Sequence, residues 1–121
     1  MLTIKDFRPR TVAAVTIAVL FAAPTAYADT QLVRVNAGAT QTVDLSLCSS
    51  IVDVVVVGDQ DTDVDFEIYN PRGRLVHYDD DPTDFTYWTA QRSASGCSPY
   101  QLVLRNLGDV HNNVRVSVDG R

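Results

Sequence analysis

Hydrophobic and polar residues alternate with a period of two along most of the chain beyond residue 30. Val43, Leu45 and Leu47 are separated by single polar residues, and the same spacing recurs over residues 63–69. This spacing is typical of β-strands with one buried face. The segments that read as strands are 32–35, 40–47, 51–57, 63–69, 74–78, 83–90, 100–106 and 113–118.

The segment 51–57 (IVDVVVV) is apolar nearly throughout, which predicts a strand that is buried on both faces. No window of eleven or more residues beyond residue 28 has helical periodicity. Seven to eight short strands at this spacing predict an all-β fold: a single antiparallel β-sandwich that is jelly-roll-like.

The first 28 residues have the pattern of a secretory signal peptide. Three basic residues (Lys5, Arg8 and Arg10) precede the apolar run 11–23, and residues 26–28 read Ala-Tyr-Ala, a cleavage pattern. The run is shorter than the about 20 residues that a membrane-spanning helix needs. We therefore expect cleavage after Ala28, a single domain over residues 29–121, a secreted or periplasmic product, and no membrane anchor.

The charge of the expected mature domain limits its partners. The leader holds three of the ten basic residues and one of the fifteen acidic residues, which leaves seven arginines, fourteen acidic residues and a formal charge of −7. Nucleic-acid phosphates and anionic membranes need a basic patch, so we expect neither as a partner. The charge suits solubility, cation binding or a basic partner.

Cys48 and Cys97 are the two cysteines of the chain. An isolated pair in an exported domain predicts one disulfide. Closing a loop of about fifty residues stabilises a fold by roughly 4 kcal/mol in the chain-entropy estimate. A zinc site would need more ligands than the two histidines supply at this spacing.

Residues 70–73 (Asn-Pro-Arg-Gly) predict a tight turn, since Asn, Pro and Gly are favoured at these turn positions. The composition fits a type I turn followed by a glycine bulge, with Asn70 opposite Arg74. Counting outwards, Ile68 would face Val76, and Phe66 would face Tyr78. The polar face would then carry the pairs Glu67 with His77, Asp65 with Asp79, and Asp63 with Asp81.

This hairpin would gather aspartates at one end of the molecule: Asp59, Asp61, Asp63, Asp65, Asp79, Asp80, Asp81 and Asp84. Facing like charges destabilise a sheet, so compensation is expected. A calcium ion fits such oxygen ligands; a nearby arginine, or splaying into water as a solvated acidic rim, are the alternatives. The spacing is not that of an EF-hand, because its glycine and closing-glutamate positions hold other residues.

From Asp61 to Val76 the chain (DTDVDFEIYNPRGRLV) resembles the bacterial pre-peptidase C-terminal domain. That family carries a D-x-D-x-D-hydrophobic strand, a Tyr-Asx-Pro-x-Gly turn and a returning strand that ends in an acidic pair. Segments 100–104 and 112–116 resemble its last strands, and the resemblance covers most of residues 31–118. It implies a secreted, non-catalytic, jelly-roll-like sandwich.

Family members usually trail a secreted peptidase, as accessory segments in export, folding or substrate binding, and some bind calcium or collagen. By match of position, the resemblance implies Asp63, Asp65, Asp79 and Asp80 as calcium ligands, and the hairpin register adds Asp81. This chain departs from the family pattern because the module follows the predicted signal peptide directly and carries the cysteine pair.

Tyr87 and Trp88 are candidate binding residues. Adjacent strand residues face opposite sides, so one ring would lie in the core and the other outside, where it could stack on a sugar or anchor a protein. Trp88 packing the core near the disulfide is the favoured interpretation, and an exposed Trp88 is the alternative.

No catalytic motif is present: the chain has no G-x-S-x-G, H-E-x-x-H or glycine-rich phosphate loop. A His77–Glu67 pair reads as a surface cross-strand pair. We expect a monomeric, non-enzymatic binding or accessory module that acts through a protein or matrix partner. A carbohydrate-binding module, or a small inhibitor of a secreted hydrolase that uses the loop 91–99, are the alternatives.

Overall fold

The computed structural model describes residues 27–121, so the predicted leader, apart from Tyr27 and Ala28, lies outside the described residues. Eight strands follow one another in the chain. They are β1 (Tyr27–Val35), β2 (Thr40–Leu47), β3 (Ile51–Val57), β4 (Val64–Tyr69), β5 (Leu75–Asp79), β6 (Phe85–Gln91), β7 (Ser98–Asn106) and β8 (Asn112–Gly120).

The strands form two four-stranded sheets, and every pairing is antiparallel. Sheet 1 has the order β1-β8-β3-β6 and sheet 2 has the order β2-β7-β4-β5. Successive strands alternate between the two sheets except at β4 and β5, which are neighbours in sheet 2, and this strand order is that of a jelly roll. The predicted all-β sandwich with one disulfide is therefore confirmed, since Cys48 is bonded to Cys97.

Strand β1 begins two residues before the predicted mature start. Tyr27 lies opposite Gly120 and Ala28 lies opposite Asp119, so both residues belong to the pairing with β8. Within residues 27–121 no helix is long and apolar enough to cross a membrane.

The core lies between the two sheets and comes from alternate residues of their strands. Its buried members are Val35, Val43, Leu45, Leu47, Val52, Val54, Val56, Val64, Phe66, Ile68, Ala90, Leu102, Leu104, Val114, Val116 and Val118. Aliphatic residues with stiff or branched side chains dominate this list, as expected for pleated sheets that pack face to face.

The prediction that β3 is buried on both faces is wrong for its outer face. Val52, Val54 and Val56 are fully buried, whereas the alternate residues Ile51, Val55 and Val57 are only half-buried. The described part of the chain places no further layer against that side of sheet 1. Strand β3 is thus a central strand with an apolar outer face.

The predicted register of the β4–β5 hairpin is wrong by one residue. The turn itself forms as predicted, because the Asn70 backbone N–H donates to the Arg74 carbonyl and the Gly73 N–H donates to the Asn70 carbonyl. A bulge follows: Tyr69 lies opposite Leu75, but Ile68 lies opposite His77, which leaves Val76 as the extra residue.

The bulge exchanges the two faces of β5. Phe66 lies opposite Asp79 and Glu67 lies opposite Tyr78, so the expected pairs of Glu67 with His77 and of Asp65 with Asp79 do not form. Strand pairing stops at Asp79, and the expected pair of Asp63 with Asp81 does not form either. Consequently His77 turns towards the interior, and Tyr78 is exposed.

Candidate functional site

The acidic end of sheet 2 contains two carboxylates with unsatisfied buried oxygens. Asp63 precedes β4, and Asp65 is its second residue. The Oδ1 atoms of both side chains are buried and have no hydrogen-bond partner. Such atoms lose hydration without replacement, which is unfavourable for folding.

Burial raises the pKa of the Asp65 carboxyl, and the negative charges of Asp63, Asp80 and Asp79 add to the rise. Arg105 lies opposite Asp65 on β7 and lowers the pKa in part. The arginine that the sequence analysis allowed as a compensating partner is therefore present. However, its guanidinium forms its ion pair with Glu67, at 2.9 Å, and not with Asp65.

The Glu67 carboxylate on sheet 2, in contrast, has both a hydrogen-bond donor and an ion-pair partner. The Tyr69 hydroxyl donates to its Oε1 at 2.7 Å. This hydrogen bond and the contact with Arg105 hold the pKa of Glu67 below its ordinary value, against the effect of burial. The contrast with Asp65 shows where the charge at this end is uncompensated.

The remaining predicted metal ligands lie in the connection that leaves β5. Asp79 is half-buried, and its Oδ1 accepts a hydrogen bond from the Asp81 backbone N–H at 3.1 Å. Asp80 and Asp81 are exposed. No three His, Cys, Asp or Glu side chains of residues 27–121 come together in an arrangement that could hold a metal ion.

A buried polar network beside the acidic end was not predicted from the sequence. Asn112 is fully buried and donates through Nδ2 to Asp84 Oδ2 and to Thr62 Oγ1, at 3.1 Å each. Its Oδ1 accepts from the Asp59 backbone N–H at 3.1 Å. Asp84 Oδ2 also accepts from the Gln60 N–H. These hydrogen bonds join the loop after β3, the loop before β6 and the start of β8, so these residues have a structural role.

Asp59 is part of the same arrangement. Burial alone would raise the pKa of its carboxyl, but the backbone N–H groups of Asn113 and Asp61 donate to its two oxygens and lower it. Of the eight aspartates that the sequence groups together, Asp59, Asp79 and Asp84 therefore accept hydrogen bonds from protein donors.

The outer face of sheet 1 carries a second candidate site. The half-buried Val55 and Val57 lie opposite Tyr87 and Phe85 of β6, whose side chains are 51% and 50% exposed. Leu32 on β1 is 76% exposed on the same face, but Arg115 of β8 lies between it and Val57. We call the residues Val55, Val57, Phe85 and Tyr87 the outer-face patch.

A polar cluster borders this patch. The Asp53 carboxylate accepts hydrogen bonds from Thr89 Oγ1 at 2.7 Å and from the Tyr87 hydroxyl at 3.1 Å. Arg121 adds an ion pair at 3.0 Å. The hydrogen bonds from Arg121 and Thr89 are the largest effects that lower the pKa of Asp53 to about 2. The Tyr87 ring is thus held in place while its face stays accessible.

Trp88 points the other way, as the favoured interpretation predicted. It packs against the core and lies 6.1 Å from His77 and 6.0 Å from Tyr100, measured between ring centroids. His77 Nε2 lies 2.8 Å from Thr86 Oγ1. Burial lowers the pKa of His77, although Asp79 opposes this. Of the two predicted binding residues, only Tyr87 is on an exposed face.

The disulfide-linked loop between β6 and β7 is held by an arginine. Arg92 is buried, and its guanidinium donates to the Ser49 carbonyl, the Gly96 carbonyl and Ser98 Oγ at 2.7–2.9 Å. With Cys97 bonded to Cys48, this loop is fixed at both ends.

No protein-family model matches the chain, and no curated protein matches it in sequence. The resemblance to the pre-peptidase C-terminal domain therefore stays a prediction.

Proposed function

We propose that the chain is an exported, non-enzymatic binding module that attaches to a protein or matrix partner through the outer-face patch. The observation that carries this proposal is the exposure of Phe85 and Tyr87 beside the apolar outer residues of β3. A contiguous exposed apolar patch with a polar border is typical of interaction sites on soluble domains. The disulfide and the predicted leader support export.

The position of His77 supports a non-enzymatic role. The predicted hairpin register would bring His77 and Glu67 together as a His–carboxylate pair, which can perform acid–base chemistry. The bulge places them on opposite faces of sheet 2. His77 is within hydrogen-bond distance of Thr86, and Glu67 bonds to Tyr69 and Arg105.

The test is co-sedimentation of the processed protein with insoluble probes: fibrillar collagen, cellulose, chitin and peptidoglycan. We expect binding to at least one probe, and we expect the double variant Phe85→Ala/Tyr87→Ala to lose it. The matched control is Tyr78→Ala, which removes a ring that is even more exposed (62%) from β5, outside the patch. Binding that survives the double variant, or no binding to any probe, would contradict the proposal.

Carbohydrate is the second candidate ligand, favoured by the polar cluster around Tyr87. A ring stacks on the apolar face of a sugar, and neighbouring carboxylate, hydroxyl and guanidinium groups can hydrogen-bond its hydroxyls. Asp53, Thr89 and Arg121 provide those groups. Binding to the polysaccharide probes but not to collagen, lost in Asp53→Ala, would select this candidate.

We further propose that calcium stabilises the acidic end. The donor chemistry fits, because Asp63 and Asp65 each offer a buried carboxylate oxygen without a partner. Asp79 and Asp80 repel the charge of Asp65 and would be attracted by the same cation. A solvated acidic rim is the alternative, in line with the absence of a three-ligand group within residues 27–121.

Thermal melts in EDTA, calcium and magnesium test this second proposal. A ligand that binds only the native state raises its stability, so we expect a calcium-specific rise in Tm that is absent in Asp65→Asn. In EDTA the same variant should melt higher than wild type, because it removes a charge whose pKa is raised by burial and repulsion. The exposed Asp44→Asn on β2 should change neither result. If calcium does not change the Tm, the calcium site is excluded and the acidic end is a solvated rim.

A further inference from the structure

A jelly roll has four edge strands, and three of those in this chain carry features that discourage pairing with another strand. Strand β1 contains Asp29 and Arg34, and β2 contains Asp44. Strand β5 is five residues long, is bulged, and ends in Asp79. Charges, bulges and short length are the devices by which natural proteins protect sheet edges.

Strand β6 has none of these protective features. Its seven residues, FTYWTAQ, include no charged residue and no proline, and its register with β3 is unbroken. Aromatic residues and threonine give it a high β-propensity. It is therefore the unprotected edge of sheet 1.

The hydrogen bonds that bracket β6 show which backbone groups face outwards. The Gly58 N–H donates to the Asp84 carbonyl and the Arg92 N–H donates to the Ser50 carbonyl, so even-numbered residues face β3. Alternation along an antiparallel strand then directs the N–H and C=O groups of the odd-numbered residues to the free edge. These are Phe85, Tyr87, Thr89 and Gln91.

The free edge also has opposite charges at its two ends. The exposed Asp80 and Asp81 lie just before Phe85. At the other end, Gln91 lines a depression of about 310 Å³ together with Arg72 and Arg74. A strand that lies along this edge would thus need basic groups near Phe85 and acidic groups near Gln91.

We infer that β6 pairs with β6 of a second copy of the chain, antiparallel and about a two-fold axis at Trp88. This register pairs Tyr87 with Thr89 of the second copy and Phe85 with its Gln91. All outward backbone groups of both strands are then used. It also sets the acidic end of each copy against the basic end of the other, the self-complementarity that an isologous interface requires.

The inference does not rest on the proposed function, but a dimer would change how the outer-face patch binds its partner. Pairing would join the two copies of sheet 1 into one eight-stranded sheet and place two outer-face patches side by side. A dimer would therefore bind a repetitive matrix with two linked sites. The monomer that the sequence predicts is the other possible outcome of the test.

The test is the mass of the processed, oxidised protein, measured by sedimentation velocity over a range of concentrations in EDTA. We expect dimers for wild type and monomers for Thr89→Pro, which removes an outward N–H. Proline is tolerated on an edge strand where its nitrogen faces solvent. The matched control is Thr89→Val, which also loses the hydroxyl contact with Asp53 but keeps the N–H, and it should remain dimeric.

If Thr89→Pro fails to fold, exchanging the charges of Asp80 and Arg74 provides a second test of the dimer. Asp80→Arg and Arg74→Glu should each weaken the dimer, by roughly fivefold in Kd, and the double variant should restore it. A wild type that stays monomeric would overturn the inference, as would dimers that survive in folded Thr89→Pro or a double variant weaker than both single ones. None of these readouts involves a matrix probe, so they are separate from the test of the outer-face patch.

Discussion

Replacing Asn112 by Asp is the sharpest test of how this fold is held together. The substitution keeps the shape of the side chain and converts its NH2 group into a carboxylate oxygen. That oxygen would lie 3.1 Å from Asp84 Oδ2, where the amide now donates a hydrogen bond. Asn112 is 0% exposed and Asp84 is 7% exposed, so water cannot separate the two charges.

The expected loss of stability lies between two estimates: the repulsion of two charges, and the cost of keeping a proton on one of them. Two unit charges 3.1 Å apart repel by about 5 kcal/mol at an effective dielectric constant of 20. The protein can avoid this by keeping a proton on the pair, which at pH 7 costs about 4 kcal/mol for a group with an ordinary pKa near 3.9. Adding about 1 kcal/mol for the lost hydrogen bond, we expect about 5 kcal/mol of destabilisation at pH 7. That is a large part of a small domain's stability.

The pH dependence gives the mechanism its signature. Repulsion raises the pKa of the introduced pair in the folded state above its unfolded value, so the folded state retains a proton there. The loss of stability is then small below about pH 4 and grows as the pH rises. Urea unfolding of the variant at several pH values between 4 and 7 measures this slope.

Asn113→Asp is the matched control. It makes the same chemical change one residue later, on an exposed side chain whose backbone N–H, and not its amide, bonds to Asp59. We expect it to change stability by less than about 1 kcal/mol. Equal losses in the two variants, or a loss in Asn112→Asp that does not vary with pH, would refute the reasoning.

Three further predictions concern other parts of the sandwich. Gly58→Ala should destabilise the fold by several kcal/mol in a thermal melt, because the added Cβ would overlap the Asp84 carboxylate. The control Gly38→Ala meets no atom within 4 Å, so it should destabilise the fold by only about 1 kcal/mol, from the strain of its positive φ. Arg92→Lys should destabilise by about 2–4 kcal/mol in urea, because one ammonium cannot replace the three hydrogen bonds of the buried guanidinium; a loss under 1 kcal/mol would contradict this. Wild type should lose stability as the pH falls from about 4 to about 2, because Arg121 and Thr89 hold the pKa of Asp53 in the folded state at about 2, below its unfolded value. Asp53→Asn should lose less stability over this pH range in urea unfolding. An equal loss in the variant and in wild type would show that Asp53 is not its cause.

Much of the fold can be predicted because it depends on local pattern. Alternation located the strands, the two cysteines indicated the disulfide, and Asn-Pro-Arg-Gly indicated the turn. Asn70 illustrates why the turn was predictable: its Oδ1 accepts from the N–H groups of Arg72 and Arg74, both within four residues. Interactions of such short range leave their mark in the sequence.

The hairpin register could not be predicted, because it depends on one extra residue. Turn composition sets the pairing next to the loop, but Val76 bulges out immediately beyond it. A register that slips by one residue reverses the face of every following side chain. For this reason the predicted register had His77 outside and Tyr78 inside, and the structure has the reverse.

The buried Asn112 network was missed for a related reason. Its partners Asp84 and Asp59 lie 28 and 53 residues away, in loops whose composition reads as solvated. Polar loop residues become structural only when the topology brings their segments together. Gly58 is the one local sign, because the space beside it is filled by Asp84 and Asn112 and leaves no room for a side chain.

Strand β6 links the fold to its proposed role. Its inward positions include Thr86, which is 1% exposed, while Phe85 and Tyr87 face out. Hydrophobicity alone does not decide the orientation, because Trp88 and Ala90 lie on the inward face and Phe85 and Tyr87 on the outward face. The orientation is fixed instead by His77 within hydrogen-bond distance of Thr86, and by Asp53, which accepts from Tyr87 on the outside. Either orientation of this strand leaves at least one large ring on the outer face. Because Asp53 holds the Tyr87 ring outside, next to Phe85 and the apolar outer face of β3, we propose that this exposed surface serves binding.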